Sequence, residues 1–449
     1  MPSSVVRERL ALACLAPLAG AAFLRPAPVP AGVVLLSAAL LAYASLSWRR
    51  VTLPARVFVA LAACASILAI ALGTDAVALL GPATQQAAQF ATLLAALATL
   101  RLPMRRSVLI GRAAAWLVAS PPRRRYAALT YGSHFLTLMF GVGVVPMIGD
   151  MLARRGLDCR ESAAARQMLL AVVRGLAWAT LWSPMAVSFA IVSSALPTLD
   201  PLRFVGVGLL MALSLLLLSC LFFGQGDVPV AASADVAGGG RALCAIAAMS
   251  ALLFLATWAL YRTSGLSFLL ASAITVPCFS LAWWRLEPGE RPPLVPGLAG
   301  AVLELRSETL IFSASAFIGQ GLLALLLPDA GRHALALPVG PYPFAVLCVL
   351  AVPAVAAFAV APTIVVLLLA QLVAASGIGV ATPLTFAVAL TAGWSLAIGI
   401  STVSATLLLA SNVSALPARQ IAFGLNRGFT LVMTGVAVGL VSVLYALGW

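Results

Sequence analysis

Residues 382–415 read TPLTFAVALTAGWSLAIGISTVSATLLLASNVSA, a stretch without a single charged side chain. An apolar run of about 20 residues crosses the hydrocarbon core of a bilayer as a helix, so this stretch is too long for one span. Its middle, Gly399-Ile400-Ser401-Thr402, combines a glycine with small polar residues, which favours an interruption there. The stretch therefore predicts a membrane helix that is broken near its centre.

The composition of the whole chain indicates that its main solvent is lipid. Of 449 residues, 63% are hydrophobic and only 9% are charged, whereas a soluble domain carries about 25% charged residues. In lipid every backbone N–H and C=O must be bonded internally, which leaves helices or closed barrels. Because the apolar runs lack the alternation of barrel strands, the predicted fold class is all-α, a polytopic membrane protein with about 11–13 spans.

Apolar segments follow one another along the chain. Their predicted bounds are about 10–24, 31–48, 56–73, 79–100, 127–148, 167–197, 203–223, 241–261, 266–285, 308–327, 342–378, 382–415 and 427–447. Two further segments exceed the length of one span. We expect 167–197 to break at Trp182-Ser183-Pro184, and 342–378 to form two half-helices that meet near Val360-Ala361-Pro362-Thr363.

The charges set the expected topology and exclude several chemistries. All 27 basic residues are arginine, so P-loop nucleotide binding and Schiff-base chemistry, which need lysine, are excluded. The arginines that give the net charge of +14 lie between apolar runs. This distribution is typical of the positive-inside rule and not of nucleic-acid binding. Arginine clusters at 49–56 and 101–125 are separated by two spans. They therefore predict a multi-pass protein of the bacterial inner membrane with a cytoplasmic N-terminus.

A single apolar stretch, 127–148, separates the second arginine cluster from a third at 154–166. A stretch that enters the membrane and returns on the same side, a re-entrant hairpin, would keep both clusters in the cytoplasm. Gly132, Gly141, Gly143 and Pro146 could break the helix at such a turn. The alternative is one plain helix with an imperfect charge bias.

The two halves of the chain share an order of motifs. Arg106-Ser107 corresponds to Arg306-Ser307, the run 182–188 corresponds to 400–406, and both halves continue into an Ala-Leu-Pro exit. The sequence thus predicts two inverted repeats, each with a re-entrant hairpin and a broken helix. The predicted organisation is N-terminal helices at 1–50, a first repeat at 51–223, a linker at 224–240 and a second repeat at 241–449. Segment 107–119 either spans the membrane or lies on its surface.

From about residue 100 onward, the chain resembles the ion transporter superfamily, which includes divalent-anion/sodium symporters, citrate transporters and arsenite permeases. The resemblance rests on Ser307-Glu308-Thr309-Leu310-Ile311-Phe312, on a hairpin tip at Ala361-Pro362-Thr363 and on the polar break at 399–404. A bacterial branch is similar in its first half, with a hairpin tip at Gly132-Ser133-His134, a Trp-Ser-Pro break and an asparagine near the last helix, Asn426. The Ser-Asn-Thr signature of the sodium–dicarboxylate members is absent, which argues against those substrates and that coupling ion.

Candidate solute-binding and ion-binding residues lie at the breaks and at the hairpins. They are Ser133, His134, Ser183, Pro184, Ser188, Pro362, Thr363, Ser401, Thr402, Ser404 and Thr406. A broken membrane helix exposes backbone dipoles that suit small ions and polar solutes. The alternative for each hydroxyl is a bond to the carbonyl four residues back, and for His134 a bond to a helix carbonyl. Arg174, two turns before the first break, either extends to the membrane surface or binds an anion.

The remaining chemistry favours a carrier. The thirteen acidic residues fall outside the centres of the spans, which argues against a cation antiporter. Seven scattered cysteines and two histidines predict no metal site. We expect a secondary transporter for a small, anionic solute, coupled to H⁺ or Na⁺, without a cofactor, and not an enzyme. Its expected partners are the solute, the lipid bilayer and a second copy in a homodimer. The alternatives are a membrane-embedded enzyme and an uncoupled channel or exporter subunit.

Overall fold

The computed structural model describes residues 4–24, 30–224, 238–289, 293–326 and 339–449, and in these ranges the secondary structure is helical, without strands. The first ten α-helices are α1 (Ser4–Leu24), α2 (Pro30–Ser47), α3 (Leu53–Ala71), α4 (Ala76–Thr99), α5 (Arg101–Met104), α6 (Val108–Ala119), α7 (Pro122–Phe140), α8 (Val144–Ala153), α9 (Ala163–Ala179) and α10 (Val187–Ala195). The others are α11 (Pro201–Phe223), α12 (Gly239–Ser264), α13 (Phe268–Leu286), α14 (Leu294–Glu304), α15 (Arg306–Leu326), α16 (Pro341–Ala357), α17 (Pro362–Ser376), α18 (Pro383–Ile398), α19 (Ala405–Ser414) and α20 (Arg427–Ala446). The predicted all-α, polytopic class is confirmed. The predicted linker 224–240 lies largely outside the described residues.

Within the described residues, nine helical segments are long and apolar enough to cross a membrane. They are 30–47, 53–71, 76–104, 122–153, 201–223, 239–264, 268–286, 306–325 and 427–446. Four shorter apolar helices of 10–17 residues occupy two of the stretches that the sequence predicts to be broken, 342–378 and 382–415. A 12-residue helix is about 18 Å long, so α6 is too short to cross the roughly 30 Å hydrocarbon core alone.

Local signals in the sequence account for where the helices begin and end. Pro362 and Pro383 each occupy the first turn of a helix, where the missing N–H costs nothing. Asp200 caps α11 because its carboxylate accepts the Leu202 and Arg203 N–H groups. At the other end of a helix, Gly141 adopts a positive φ of 55° and ends α7.

The chain divides into two compact units, and each takes one segment from each half of the sequence. Unit 1 comprises Met1–Arg106 and Ala256–Ala336, and unit 2 comprises Ser107–Leu255 and Leu337–Trp449. The repeats predicted from the sequence run along the chain, whereas these units are defined in space. The predicted repeat boundaries at 51–223 and 241–449 stay a prediction.

Unit 1 is organised around α15, which packs against α3 and α4, while α1 pairs with α2 and α13 packs on α4. At the end of α14, the Glu304 carboxylate accepts hydrogen bonds from Arg105 (2.5 Å) and Arg101 (3.1 Å). Burial raises the pKa of Glu304, but these two arginines outweigh it and hold the pKa below its usual value. Since these two salt bridges are partly exposed, they contribute little to stability.

Ten helices of unit 2 form two matching sets of five, α7–α11 and α16–α20. In the first set α7 packs on α9 and on α11, and in the second set α16 packs on α18 and on α20. The sets also exchange contacts: α8 packs on α19, and α17 packs on α10. Corresponding helices thus have corresponding neighbours, in the order that the sequence motifs follow.

The structure corrects one expectation about the first hairpin. Gly132-Ser133-His134, expected at its tip, lies within the continuous helix α7. The interruption falls later, at a single 3₁₀ turn formed by Gly141–Gly143. Gly132 is accommodated in the helix because it packs against Leu117: an added Cβ would approach that side chain to 2.2 Å. The glycine therefore allows close helix packing, and the turn falls at Gly141, whose φ is positive.

Candidate functional site

The first broken helix of unit 2 ends at Ala179 and resumes at Val187. Pro184 lies inside the gap, where its missing N–H prevents regular helical bonding. Ser183 is buried, and its Oγ accepts the Met185 N–H (3.3 Å). Across the gap, Ser188 Oγ donates to the Thr180 carbonyl (2.7 Å). Side-chain hydroxyls thus replace part of the backbone bonding that the break removes.

The second broken helix ends at Ile398 and resumes at Ala405. Ser404 joins the two halves, since its Oγ donates to the Ile398 carbonyl (3.0 Å) and accepts the Leu407 N–H (3.2 Å). Ser401 is fully buried, and its Oγ makes no hydrogen bond within the described structure. A buried hydroxyl without a partner is costly, which marks Ser401 as a candidate for binding a ligand or water.

The two interruptions lie close together. Thr180, at the end of α9, contacts Ser395 of α18 through their hydroxyl oxygens (2.9 Å). Ser395 precedes the second gap by one helical turn, about 6 Å along the axis. Helices α9 and α18 also pack against each other. The side chains and backbone groups of both gaps therefore belong to one region in the interior of unit 2.

Arg174 of α9 lies in the same region and does not extend to the surface, since only 2% of it is exposed. Its Nε donates to Asn426 Oδ1 (3.0 Å) and its Nη1 donates to Tyr126 Oη (2.6 Å). The guanidinium carbon lies 4.4 Å from the ring centroid of Phe429 and 5.0 Å from that of Phe223. Neutral groups and aromatic faces thus hold the cation. None of the ion pairs among the described residues gives it a carboxylate partner.

Asn426 connects this arginine to the second break. It directly precedes α20 and is 1% exposed, and its Nδ2 donates to the Gly399 carbonyl (3.0 Å). Gly399 is the first residue after α18, so its carbonyl is one that the helix leaves free. A Cβ on Gly399 would lie 2.6 Å from Asn426 Nδ2, which explains the glycine. The position of Arg174 is therefore linked, through one side chain, to the backbone at the break.

His134 of α7 faces the first break and uses both ring nitrogens. Trp182 Nε1 donates to His134 Nε2 (3.0 Å), and Nδ1 lies 3.1 Å from the Gly175 carbonyl. Because an indole N–H can only donate, Nε2 is the acceptor and Nδ1 carries the proton. The neighbouring Ser133 donates to the Thr130 and Val172 carbonyls. The two adjacent residues therefore contact different groups, and both fix α7 against α9.

Close approach of helices in this region depends on two glycines. A Cβ on Gly175 would lie 2.1 Å from the Thr130 carbonyl oxygen, so α9 contacts the backbone of α7 directly. On the second broken helix, a Cβ on Gly393 would lie 2.7 Å from the Cys348 carbonyl oxygen of α16. These glycines precede the two breaks by similar distances along their helices. In both sets of helices, a glycine that allows close helix packing thus precedes the break.

The turn before α17 interrupts a further long apolar stretch, 342–378. The chain leaves α16 at Phe358, passes through Ala359 with a positive φ of 62°, and begins α17 at Pro362. Thr363 in the first turn is 8% exposed. Helix α17 packs on α10, the second half of the first broken helix. The predicted residues Pro362 and Thr363 therefore belong to a helix that contacts the first broken helix.

The fold is similar to that of a solved transporter. The chain aligns over 89% of its length with 99% of a chain whose crystal structure is described as that of the Alcanivorax borkumensis YdaH transporter, which has an unusual topology, at a TM-score of 0.55 and 16% identity. No protein-family model and no curated protein match the chain. At this identity the similarity concerns the fold.

The sequence located both breaks but missed the connection between them. Asn426, which the sequence showed only as an asparagine near the last helix, is buried beside Arg174. The sequence did contain a signal for this connection, namely two polar residues in apolar surroundings. One is an arginine inside a long apolar stretch, and the other is an asparagine before the last helix. Of the remaining predicted residues, Thr406 is buried in the first turn of α19 and Thr402 is half-buried in the gap.

Ser404→Ala is expected to lower the free energy of unfolding by about 1–2 kcal/mol, because the variant loses a helix cap and the bond across the gap. The measurement is denaturant unfolding of the purified protein in detergent. Ser214→Ala is the matched control, since Ser214 on α11 is exposed and bonds only to the carbonyl of Leu210. Equal effects of the two substitutions would contradict the structural role of Ser404.

Proposed function

We propose that this protein is a secondary transporter that moves a small anionic solute across the bacterial inner membrane by alternating access, coupled to H⁺ or Na⁺. The observation that carries the proposal is the meeting of two interrupted helices inside unit 2, joined by Thr180 and Ser395. Non-helical backbone at membrane depth is tolerated only where it is buried in protein or lines a watery cavity. Paired broken helices of this kind form the solute and ion sites of many carriers. The similarity in fold to a solved transporter supports the same conclusion.

The charge at the site favours an anion. Arg174 is buried, carries a permanent positive charge and has neutral partners. Burying an ion without a counter-charge costs several kcal/mol, and intramembrane charges commonly mark a transport pathway. An anionic solute that binds near the second break would offset this cost.

We assign different roles to the candidate residues. Ser188 and Ser404 bridge the gaps, and Ser133 and His134 fix α7 against α9, so these four position the site. Ser401 has a free, buried hydroxyl and is the main candidate for contact with the solute. The other candidates for solute or ion contact are Ser183, Pro184, Pro362, Thr363, Thr402 and Thr406.

Two inverted repeats, each with a re-entrant hairpin, explain the packing in unit 2. Helices α7–α11 and α16–α20 have corresponding neighbours, and their motifs occur in the same order in the sequence. Two such repeats can exchange conformations, which is the basis of alternating access in many carriers. A cytoplasmic N-terminus and a homodimer complete the proposed arrangement.

Ser401→Ala is expected to abolish stabilisation by the solute while leaving the apo protein as stable as the wild type, because this hydroxyl makes no internal bond. A thermal-shift screen in detergent with acetate, succinate, citrate, sulfate and phosphate identifies the responding anion. A ligand at a hundredfold its Kd stabilises the protein by about 2.7 kcal/mol. Uptake of that anion into liposomes, with and without a pH or Na⁺ gradient, then measures transport and coupling.

Ser414→Ala is the control for this experiment, since Ser414 is buried in α19 and bonds to the carbonyl of Ala410. It should retain the ligand response. Anion stabilisation that persists in Ser401→Ala would contradict the assigned role of Ser401. If no anion stabilised the protein or entered liposomes, and the protein showed a hydrolytic or transferase activity, the proposed carrier would be wrong. The protein would then be a membrane-embedded enzyme.

A further inference from the structure

Unit 1 contains a cavity of about 230 Å³ whose lining includes four arginines. Its walls come from three separate parts of the chain: the start of α1, the end of α2 with the turn that follows, and the α14–α15 junction. The polar side chains that line it are Arg7, Glu8, Ser47, Arg49, Arg50 and Arg306. The cavity is large enough to hold several water molecules, and therefore a tetrahedral phosphate group.

The charge of this cavity is strongly unbalanced. Four arginines face one carboxylate, Glu8, and that carboxylate forms an ion pair with Arg50. Arg7, Arg49 and Arg306 have no carboxylate partner among the ion pairs of the described residues. Like charges that converge from three chain segments repel one another unless an anion binds between them. The lining therefore fits an anion with several acceptor oxygens.

A phosphate group matches this lining better than a single carboxylate does. Guanidinium groups bind phosphate through paired N–H···O bonds, and phosphate oxygens can accept from several arginines at once. The Ser47 side chain adds a hydroxyl at the wall. We propose that this cavity binds the phosphate group of an anionic phospholipid.

The surroundings of the cavity favour a lipid as the source of the phosphate. The cavity lies at the ends of α1, α2 and α15, and arginines at the ends of apolar helices lie at the lipid head groups. Apolar side chains beside it in the chain are exposed, among them Leu10 (47%) and Leu53 (70%). Trp48, next to Arg49, is 40% exposed, as is typical of an aromatic residue at the membrane interface. A basic pocket beside an apolar surface suits a head group with acyl chains.

The test is lipid binding by the purified full-length protein in detergent, measured by native mass spectrometry and by thermal shift. The probes are phosphatidylglycerol, phosphatidylcholine with the same acyl chains, and inorganic phosphate. Phosphatidylglycerol is expected to bind best, and Arg7→Gln and Arg49→Gln should each weaken it about fivefold. Glu8→Gln removes the competing carboxylate, so it should strengthen binding.

Arg9→Gln is the matched control, since Arg9 is an exposed arginine on the same helix that does not line the cavity. It should bind phosphatidylglycerol as the wild type does. Binding of inorganic phosphate that depends on Arg7 and Arg49 would support a phosphate site. It would also show that the ligand is a soluble phosphate and not a phospholipid. Equal loss in Arg9→Gln, or no preference for phosphatidylglycerol over phosphatidylcholine, would overturn the proposal. These readouts do not depend on transport.

Discussion

Gly175→Ala is expected to destabilise the protein by about 3 kcal/mol or more, or to prevent it from accumulating in folded form. The added Cβ would lie 2.1 Å from the Thr130 carbonyl oxygen and 2.3 Å from Ser133 Oγ. A backbone oxygen cannot rotate away as a flexible side chain can, so α7 and α9 must separate. That separation would also break the contact between His134 and the Gly175 carbonyl. The free energy of unfolding in detergent measures the effect.

Gly435→Ala provides the matched control for this prediction. Gly435 lies inside α20, and an added Cβ would have no neighbour within 4 Å. Alanine favours a helix over glycine by about 1 kcal/mol, so this substitution should leave stability unchanged or raise it. A Gly175→Ala variant that is as stable as Gly435→Ala would show that α7 and α9 do not approach as closely as the structure describes.

Arg174→Gln is expected to lower the kcat/KM for the transported anion by roughly 10- to 150-fold. This range corresponds to the roughly 1.5–3 kcal/mol of a hydrogen bond to a charged group. Glutamine removes the positive charge but keeps an amide that can bond to Asn426. Arg174→Lys keeps the charge and loses the planar fork that reaches both Asn426 and Tyr126. Its rate should therefore lie between those of the wild type and Arg174→Gln.

Two further measurements separate a role in anion binding from a role in folding. Arg419→Gln changes an exposed arginine of unit 2 and should leave both transport and stability unchanged. A double-mutant cycle of Arg174→Gln with Asn426→Ala reports the coupling energy of the pair, expected at about 0.5–3 kcal/mol for residues in contact. Unchanged anion affinity in Arg174→Gln would remove the arginine from the proposed site.

The sequence predicted the broken helices well because the signals for them are local. Pro184 cannot donate a backbone hydrogen bond, and the second break follows directly from a glycine with small polar residues. Gaps at 180–186 and 399–404 lie where these residues predicted them. The position of the interruption in 127–148 was predicted less well, because several glycines and a proline were candidates for the turn. Gly132 serves packing against Leu117, whereas Gly141 takes the positive φ that ends α7.

The destination of Arg174 could not be predicted, because it depends on a partner 252 residues away in the chain. An arginine in a long apolar stretch can extend its side chain to the membrane surface, or it can be buried in a binding site. Only the tertiary structure distinguishes the two, because it packs α9 beside α18 and brings Arg174 into contact with Asn426 and Phe429. The sequence could not predict the free hydroxyl of Ser401 either. Any serine in a membrane helix can bond to a carbonyl of its own helix, so the sequence does not show which hydroxyl stays without a partner.

The sequence by itself determined that the chain is helical and polytopic and that two of its helices are interrupted. Composition, hydropathy and the backbone limits of glycine and proline act over a few residues, so they can be read along the chain. The tertiary structure decided that the breaks meet, that Arg174 joins Asn426 and Gly399, and that four arginines surround one cavity. These features depend on contacts between distant segments. Such contacts form only when apolar helices pack, and hydropathy does not specify which helices become neighbours.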